Sequence, residues 1–415
     1  MLVIFSLMNG PKCLLKIKRT LIVPLFFGLF GCEDTQNASG GSNLEYETIL
    51  IKRDSLSIVL DDKTSYEFLN VSYFENDTLE VLLSVNYLIN GFNLYDLSSA
   101  KLLSQVSIPN DGPFSVRELQ GVTIRNLDSI YVFSKMDLRN VSIVDYKGNF
   151  KDTFYPHPFE PRNNFSRPVP ILNHQSNTST PTMLSHNKLI FSKYEVFDYY
   201  MSSNINSDYS GEFYLDLKSL EFSELPITFP RWLQNKSMHL FSMLHTKTLN
   251  EDGQLVYAFY GEDSLRVYDM SNNHFDVYLA KYDKDNKERV FYKGRPNSIQ
   301  SLEDGLGNYL YTQIIYDKYR KVYYRILERP IKYNPAIHKN SSAYYQKPVS
   351  CVILDSDFKK IGEVDFAEDV YRSYGSFVGK NGLYVPRLST NYKNLDEDRV
   401  EYSVYVLDSN KNIIK

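Results

Sequence analysis

A chain of 415 residues with 46 Lys+Arg against 50 Asp+Glu has a formal net charge of −4, which excludes the broad basic surface a nucleic-acid binder needs to displace counterions from phosphates. A mean hydropathy of −0.36 excludes a multi-span membrane protein. Aromatic residues make up 14 %, with 34 Tyr and 25 Phe against one Trp, and because Tyr and Phe favour pleated, half-buried surfaces the composition points to β structure.

Residues 1–32 read as an address. Lys12, Lys16, Lys18 and Arg19 form a positive cluster, followed by the apolar run 21–30 and then Gly31-Cys32. Charge, a short apolar core and a small residue before the cut describe a secretory signal, too short for a stable membrane-spanning helix. Residues 1–8 precede the charges, and a start at Met8 gives the more regular signal. Leu29-Phe30-Gly31-Cys32 resembles the lipobox of bacterial lipoproteins, which implies Cys32 as the lipid attachment site; Phe30 departs from the small or aliphatic residue usual there. Residues 33–43 are polar and rich in Gly and Ser, the composition of a flexible tether. Glu33-Asp34 resembles the acidic export signal of some Bacteroidota-type lipoproteins. Of the three Cys, only Cys351 lies beyond this leader, so the body forms no intramolecular disulfide; its run Cys351-Val352-Ile353-Leu354 predicts a buried, inert thiol.

From residue 44 to 415 one unit recurs: an apolar strand closed by Asp. The six aspartates are Asp96, Asp145, Asp216, Asp269, Asp355 and Asp408. A strand-closing Asp can accept from backbone amides two or three residues on and so reverse the chain. Each copy is preceded by a polar turn and a short apolar strand, as at Asn76-Asp77-Thr78, Asp128-Ser129, Asn187-Lys188, Asp252-Gly253, Gly307-Asn308 and Asn381-Gly382. Asp-Gly and Asn-Gly pairs supply the positive φ that hairpins need. No window of a dozen residues shows convincing helical periodicity.

Length alone suggests two or three domains, but blades grow around one axis, and six units over residues 44–415 leave about 62 residues each. The expected fold is therefore all-β: a single six-bladed propeller of four-stranded antiparallel blades, with seven blades or a pair of β-sandwiches as alternatives. Thr48-Ile49-Leu50-Ile51 and Leu56-Ser57-Ile58-Val59-Leu60 read as a closing strand or part of a seventh blade. Tyr95, Tyr131, Tyr257, Tyr268, Tyr384 and Tyr405 fall on strand positions and absorb much of the aromatic excess.

The fifth unit is irregular, with a hairpin over 309–327 and a Tyr-rich insertion over 331–350. Lipobox, tether, the six aspartate-closed units and the run Tyr316-Asp317-Lys318-Tyr319-Arg320-Lys321-Val322-Tyr323-Tyr324-Arg325 together resemble an uncharacterised family of propeller-like lipoproteins from Bacteroidota-type bacteria. The resemblance covers almost the whole mature chain. It implies an outer-membrane lipoprotein facing the periplasm or the cell surface, and it implies no activity.

Catalytic and cofactor signatures are missing. None of the seven His forms HExxH or lies near a Cys pair, and no nucleophile elbow, phosphate loop or dinucleotide fingerprint occurs, so no metal and no cofactor is expected. His239 and His245 are expected at the surface or in turns. Asp61-Asp62 and Asp283-Lys284-Asp285 lack the rest of a calcium loop and are expected to be solvated turns. Aromatic rings suit stacking on sugars or anchoring a protein partner. The candidates outside the repeat are Arg231 and Trp232, and Tyr319, Arg320, Tyr324 and Arg325 around the fifth-unit hairpin. Tyr324 and Ile326 share one strand face, Tyr323, Arg325 and Leu327 the other, so packing between blades explains these residues equally well. Ser55, Thr78, Ser129 and Ser264 each follow Asp and precede an aliphatic residue, which resembles the O-glycosylation acceptor of such bacteria; turn chemistry accounts for the same pattern.

The functional expectation is a cell-envelope lipoprotein whose non-catalytic propeller binds a glycan, a peptide or an envelope protein, held to the membrane by its N-terminal lipid. The alternative is a hydrolase or lyase acting on polysaccharide through an acidic pair in the central channel. An enzyme predicts carboxylates or a His converging on the axis; a binder predicts exposed aromatic rings on a face or rim.

Overall fold

The computed structural model describes residues 49–408 apart from 113, 135–137, 139, 157–173, 194–199 and 208. Cys32 and the tether lie outside the described residues. Antiparallel strands build six sheets, each a blade. Blade 1 covers residues 71–107, blade 2 119–154, blade 3 174–225, blade 4 245–279 and blade 5 310–365; blade 6 combines 377–408 with Ile49–Val59. Six blades, not seven, close the ring.

Ile49–Val59 is the outermost strand of blade 6 and pairs with Arg399–Asp408 over ten positions, interrupted by a bulge at Lys52/Asp54. Leu56 and Ile58 point inward and are buried, while Ser55 and Val59 face solvent, as period-2 alternation requires. The ends of the described chain thus belong to one sheet, which locks first and last blades together.

Six apolar clusters fill the six interfaces between blades. Val81, Leu83 and Val132 pack between blades 1 and 2; Phe133, Phe191 and Phe213 between 2 and 3; Ile190, Phe229 and Tyr257 between 3 and 4. Val267, Tyr323 and Leu354 pack between 4 and 5; Tyr324, Cys351 and Tyr405 between 5 and 6; Phe68, Tyr95 and Tyr402 between 6 and 1. The six strand tyrosines of the repeat are all buried in these layers. Cys351 is buried as expected, and burial pushes its thiol up.

Every blade begins with its innermost strand, and alternation of direction gives the ring two unlike faces. On one, strands are joined by two to five residues, and there lie the aspartate-closed strand ends and five of the six polar turns that precede a strand; Gly307-Asn308 instead leads from the long 280–309 connection into the inner strand of blade 5 on the other face. Asp145 accepts from the amides of Lys147 and Asn149 (2.9 Å each), Asp216 from Lys218 (2.8 Å), Asp269 from Ser271 (2.8 Å) and Asp355 from Asp357 (3.0 Å). Gly253 and Gly382 hold the positive φ their hairpins require, and a Cβ on Gly382 would stand 2.1 Å from the Tyr405 carbonyl oxygen. We call this the turn face. The opposite loop face carries the long connections, including 226–244, 280–309 and 329–348.

Two departures from the sequence expectation sit on the loop side. Helix α1 (Leu240–Met243) is one turn, but α2 (Ser298–Gly307) is a full helix started by Asn297, whose side chain accepts from the Gln300 amide at 2.8 Å. Its buried face is only Leu302, Gly305 and Leu306, too few apolar positions to show as periodicity. Blade 3 has its inner strand split into His174–Gln175 and Met183–Ser185. The intervening residues 176–182 lie across the axis: the Thr178 hydroxyl donates to the Leu69 carbonyl (2.9 Å), the Thr246 hydroxyl to that of Ser179 (2.9 Å), the Thr123 hydroxyl to that of Thr182 (2.7 Å), and the Gln313 amide to that of Thr178 (3.4 Å). Blades 1, 2, 4 and 5 are thereby stitched to one polar plug.

Candidate binding face

The six candidate binding residues do not form one site. Arg325 is fully buried between blades 4 and 5, its guanidinium donating to the carbonyls of Asp263 and Ala280 (2.8 Å each) and Glu262 (2.5 Å) and stacking 3.8 Å from the centre of the Tyr311 ring. Burial pushes its pKa down. Tyr324 is buried on the other strand face, its hydroxyl 3.2 Å from Asp317 Oδ2. Both are packing residues, and the ligand-binding expectation does not carry to them because neither reaches the surface.

Tyr319 and Arg320 lie on the turn face. Arg320 pairs with Asp317 (2.9 Å) and donates to the Lys380 carbonyl (2.8 Å). The Tyr319 hydroxyl meets that of Tyr73 at 3.2 Å, and Tyr73 donates to Glu80 at 2.8 Å. Lys318 and Lys380 both pair with Glu75, at 2.7 and 3.1 Å. These contacts clasp blades 5 and 1 together beneath the short inner strand of blade 6.

Arg231 and Trp232 lie on the loop face, in the turn after Phe229-Pro230. Trp232 is half-buried, donates to Glu262 at 3.4 Å, and supports the Arg289 guanidinium 4.7 Å from its ring centre. Arg289 also pairs with Asp263 at 2.9 Å and donates to the Gly261 carbonyl at 2.8 Å. Phe291 stands 6.4 Å from Trp232, with the Lys236 ammonium 4.8 Å above its ring. Among the described residues the exposed aromatic rings are Tyr87, Phe114, Tyr155, Phe291 and Tyr345, and all five sit on loop-face connections.

Beside Arg289 the loop face is indented. A narrow pocket lined by Met238, Gly261, Asp263, Asp285, Arg289 and Tyr311 adjoins a cleft of about 650 Å³ between α2 and residues 330–333. Asp285 belies its expected solvated turn: it is buried, accepts from the Tyr311 hydroxyl at 3.0 Å, and burial pushes its carboxyl up. Asp61 does sit in an exposed turn, accepting from Thr64 at 2.6 Å.

Two buried ionic clusters lie near the axis. Glu212, from the middle of blade 3, meets His245 at 2.6 Å and Lys247 at 2.5 Å on the inner strand of blade 4, and accepts from Ser192 at 2.7 Å. Burial raises the Glu212 carboxyl, but the Lys247 charge and the His245 contact outweigh it and hold it low; burial pushes Lys247 down. Glu328 accepts from Ser373 at 2.6 Å and lies 3.7 Å from Lys347, whose ammonium also donates to the carbonyls of Gly305 (3.1 Å) and Asn308 (2.8 Å) at the end of α2. Burial pushes Lys347 down to about 8 and Glu328 up. His239 and His245 are both buried rather than at the surface: His239 does sit in a connection, where it caps α1 through the Phe241 amide (3.3 Å), but His245 is on a strand and serves Glu212. Nothing in the spacing of these residues marks them, since Glu212 meets His245 and Lys247 from another blade and Glu328 meets Lys347 across a long loop.

The acceptor-like positions are dispersed. Ser55 lies exposed at the bulge of the closing strand, not in a turn, and Thr78 lies exposed on the turn face, its hydroxyl donating to Asn76 at 3.2 Å. Ser129 opens a strand on the turn face, whereas Ser264 opens one on the loop face beside the paired Asp263.

The family model described as "Domain of unknown function (DUF4221)" matches residues 45–365. The chain belongs to the DUF4221 family. A crystal structure of a DUF4221 member from Bacteroides vulgatus is similar at 22 % identity and a TM-score of 0.73, covering 88 % of this chain and 99 % of that one. That likeness establishes the shared propeller fold. A putative exported protein from Bacteroides fragilis is more distant, at 10 % identity and a TM-score of 0.46, covering 87 % and 95 %. A virginiamycin B lyase from Staphylococcus aureus stands at 10 % identity and 0.38, covering 85 % and 99 %. No curated protein matches.

Proposed function

We propose that this DUF4221 chain is a non-catalytic binding module of the cell envelope, anchored through Cys32 in the outer membrane, and that it takes a glycan on its loop face. The observation that carries this reading is the segregation of the exposed aromatic rings to that face, where Phe291 stands beside Trp232 and a cleft indents the surface. Flat apolar rings with polar neighbours suit the CH faces and hydroxyls of sugars. The plug at 176–182 fills the axis with hydroxyls and carbonyls, and the acidic groups near it are already held by Lys247, His245 and Lys347. Ile49, where the described chain begins, pairs with Asp408 at the turn-face edge of blade 6 and leaves the loop face uncovered by the closing strand.

Glycan-array screening of the purified protein, combined with affinity capture from detergent-solubilised envelope, tests the reading. Binding to a defined glycan class supports it; failure on glycans with a stoichiometric protein partner replaces it by a scaffolding role.

A second reading, hydrolysis or lysis of polysaccharide, draws on Asp263 and Asp285, two carboxylates lining one pocket, with Asp285 raised by burial. Release of new sugar ends by the native protein, abolished in Asp285→Asn, would favour it over binding alone.

A further inference from the structure

We infer that the Trp232 corner of the loop face is a subsite for acidic oligosaccharides, sugars bearing carboxylate or sulfate groups. The inference rests on the glycan-binding reading and specifies its ligand. Ser237 and Tyr292 form an antiparallel bridge, with the Tyr292 amide donating to the Ser237 carbonyl at 2.8 Å. That register sets Lys236 directly opposite Lys293, both exposed, and places Phe291 across from Met238. Like charges facing each other across a bridged pair repel and weaken it. Exposed Arg231 adds a third cation beside Trp232.

Neighbouring cations are neutralised: Arg289 by Asp263 at 2.9 Å and Arg266 by Glu262 at 2.7 Å. Arg231, Lys236 and Lys293 have no ion-pair partner among the described residues. In a chain of net charge −4, three uncompensated cations around an exposed Phe and a half-buried Trp are a local inversion of the surface. Lys236 adds a direct link, its ammonium 4.8 Å above Phe291.

A ligand that satisfies both features needs apolar flat faces for the two rings and anionic groups for the cations. Uronate and sulfated sugars have both on each residue. Single-stranded nucleic acid also combines stacking and charge, but it needs a basic track longer than three cations, and the net negative charge of the chain opposes it.

Trp232 is the chain's one Trp, so its fluorescence reports on this corner alone. The test titrates the protein with oligogalacturonate, a heparin-derived oligosaccharide, a neutral cello-oligosaccharide and single-stranded DNA, with the glycan array run in parallel. An acidic oligosaccharide is expected to shift the Trp232 emission, to bind several-fold more weakly when salt rises from about 50 to 200 mM, and to lose about tenfold in affinity in the Lys236→Glu/Lys293→Glu double variant. Phe291→Ala should lose a smaller, about fivefold share, and matching thermal unfolding of the variants secures their folding. Neutral sugar bound as well as acidic sugar, or an acidic ligand indifferent to the double variant, overturns this inference and leaves the glycan-binding reading standing. DNA bound as tightly as the acidic sugar overturns it in favour of a nucleic-acid surface. No sugar bound in either assay overturns both.

Discussion

Arg325 donates only to carbonyls of blade 4 and its flanking residues although its own strand belongs to blade 5, and that makes it a staple between blades. Arg325→Ala would strand several buried carbonyls and open a cavity beside Tyr311, so we expect a loss of about 3 kcal/mol in urea unfolding with unchanged loop-face binding. His174 and His239 are both pushed by burial to about 4. A histidine whose folded pKa lies below its unfolded value of about 6.5 stabilises fully above that value, and the stabilisation is lost as pH falls toward the folded pKa. Unfolding free energy should therefore drop between about pH 6.5 and 4, by as much as ~3 kcal/mol for each histidine, and His239→Gln should remove about half of that histidine-linked drop. Strand alternation made Tyr324 and Arg325 readable as residues on opposite faces, and they are. It could not say that both faces are buried, because that depends on the blades either side.

At the level of elements, the closing strand was legible because Leu56 and Ile58 alternate with polar residues. Ile58→Ala should cost about 2–4 kcal/mol in chemical denaturation. The axial plug was not legible, since Ser, Asn and Thr in a row read as a loop, and only contacts with four other blades give 176–182 its role. Thr178→Val removes a donor to Leu69 and an acceptor for the Val71 amide, 3.2 Å away, and should cost about 1–3 kcal/mol on the same assay. Helix α2 escaped notice for a related reason. Its short apolar stripe rests on Ala343 and Ile331 of the fifth-unit insertion, a surface that no local pattern announces.

For the whole molecule, the contrast between faces explains how far sequence could lead. Turn-face chemistry is local: Asp145 holds amides two and four residues on, so the motif and its structure coincide. The loop face is built from partners far apart in the chain, such as Trp232 with Arg289 and Glu328 with Lys347, and composition hinted only at its aromatic content. The two faces should respond differently to substitution. Asp145→Ala is expected to lower stability by about 1 kcal/mol while leaving ligand affinity intact, whereas Phe291→Ala should change affinity and leave the unfolding midpoint in place, with denaturation and titration read on the same preparations.

Ring closure by Ile49–Val59 also has a mechanical meaning. A force applied to Ile49 along the strand would load its ten paired positions with 399–408 together, in shear. The strand that completes the ring is then also the joint through which such a force would reach the rest of blade 6.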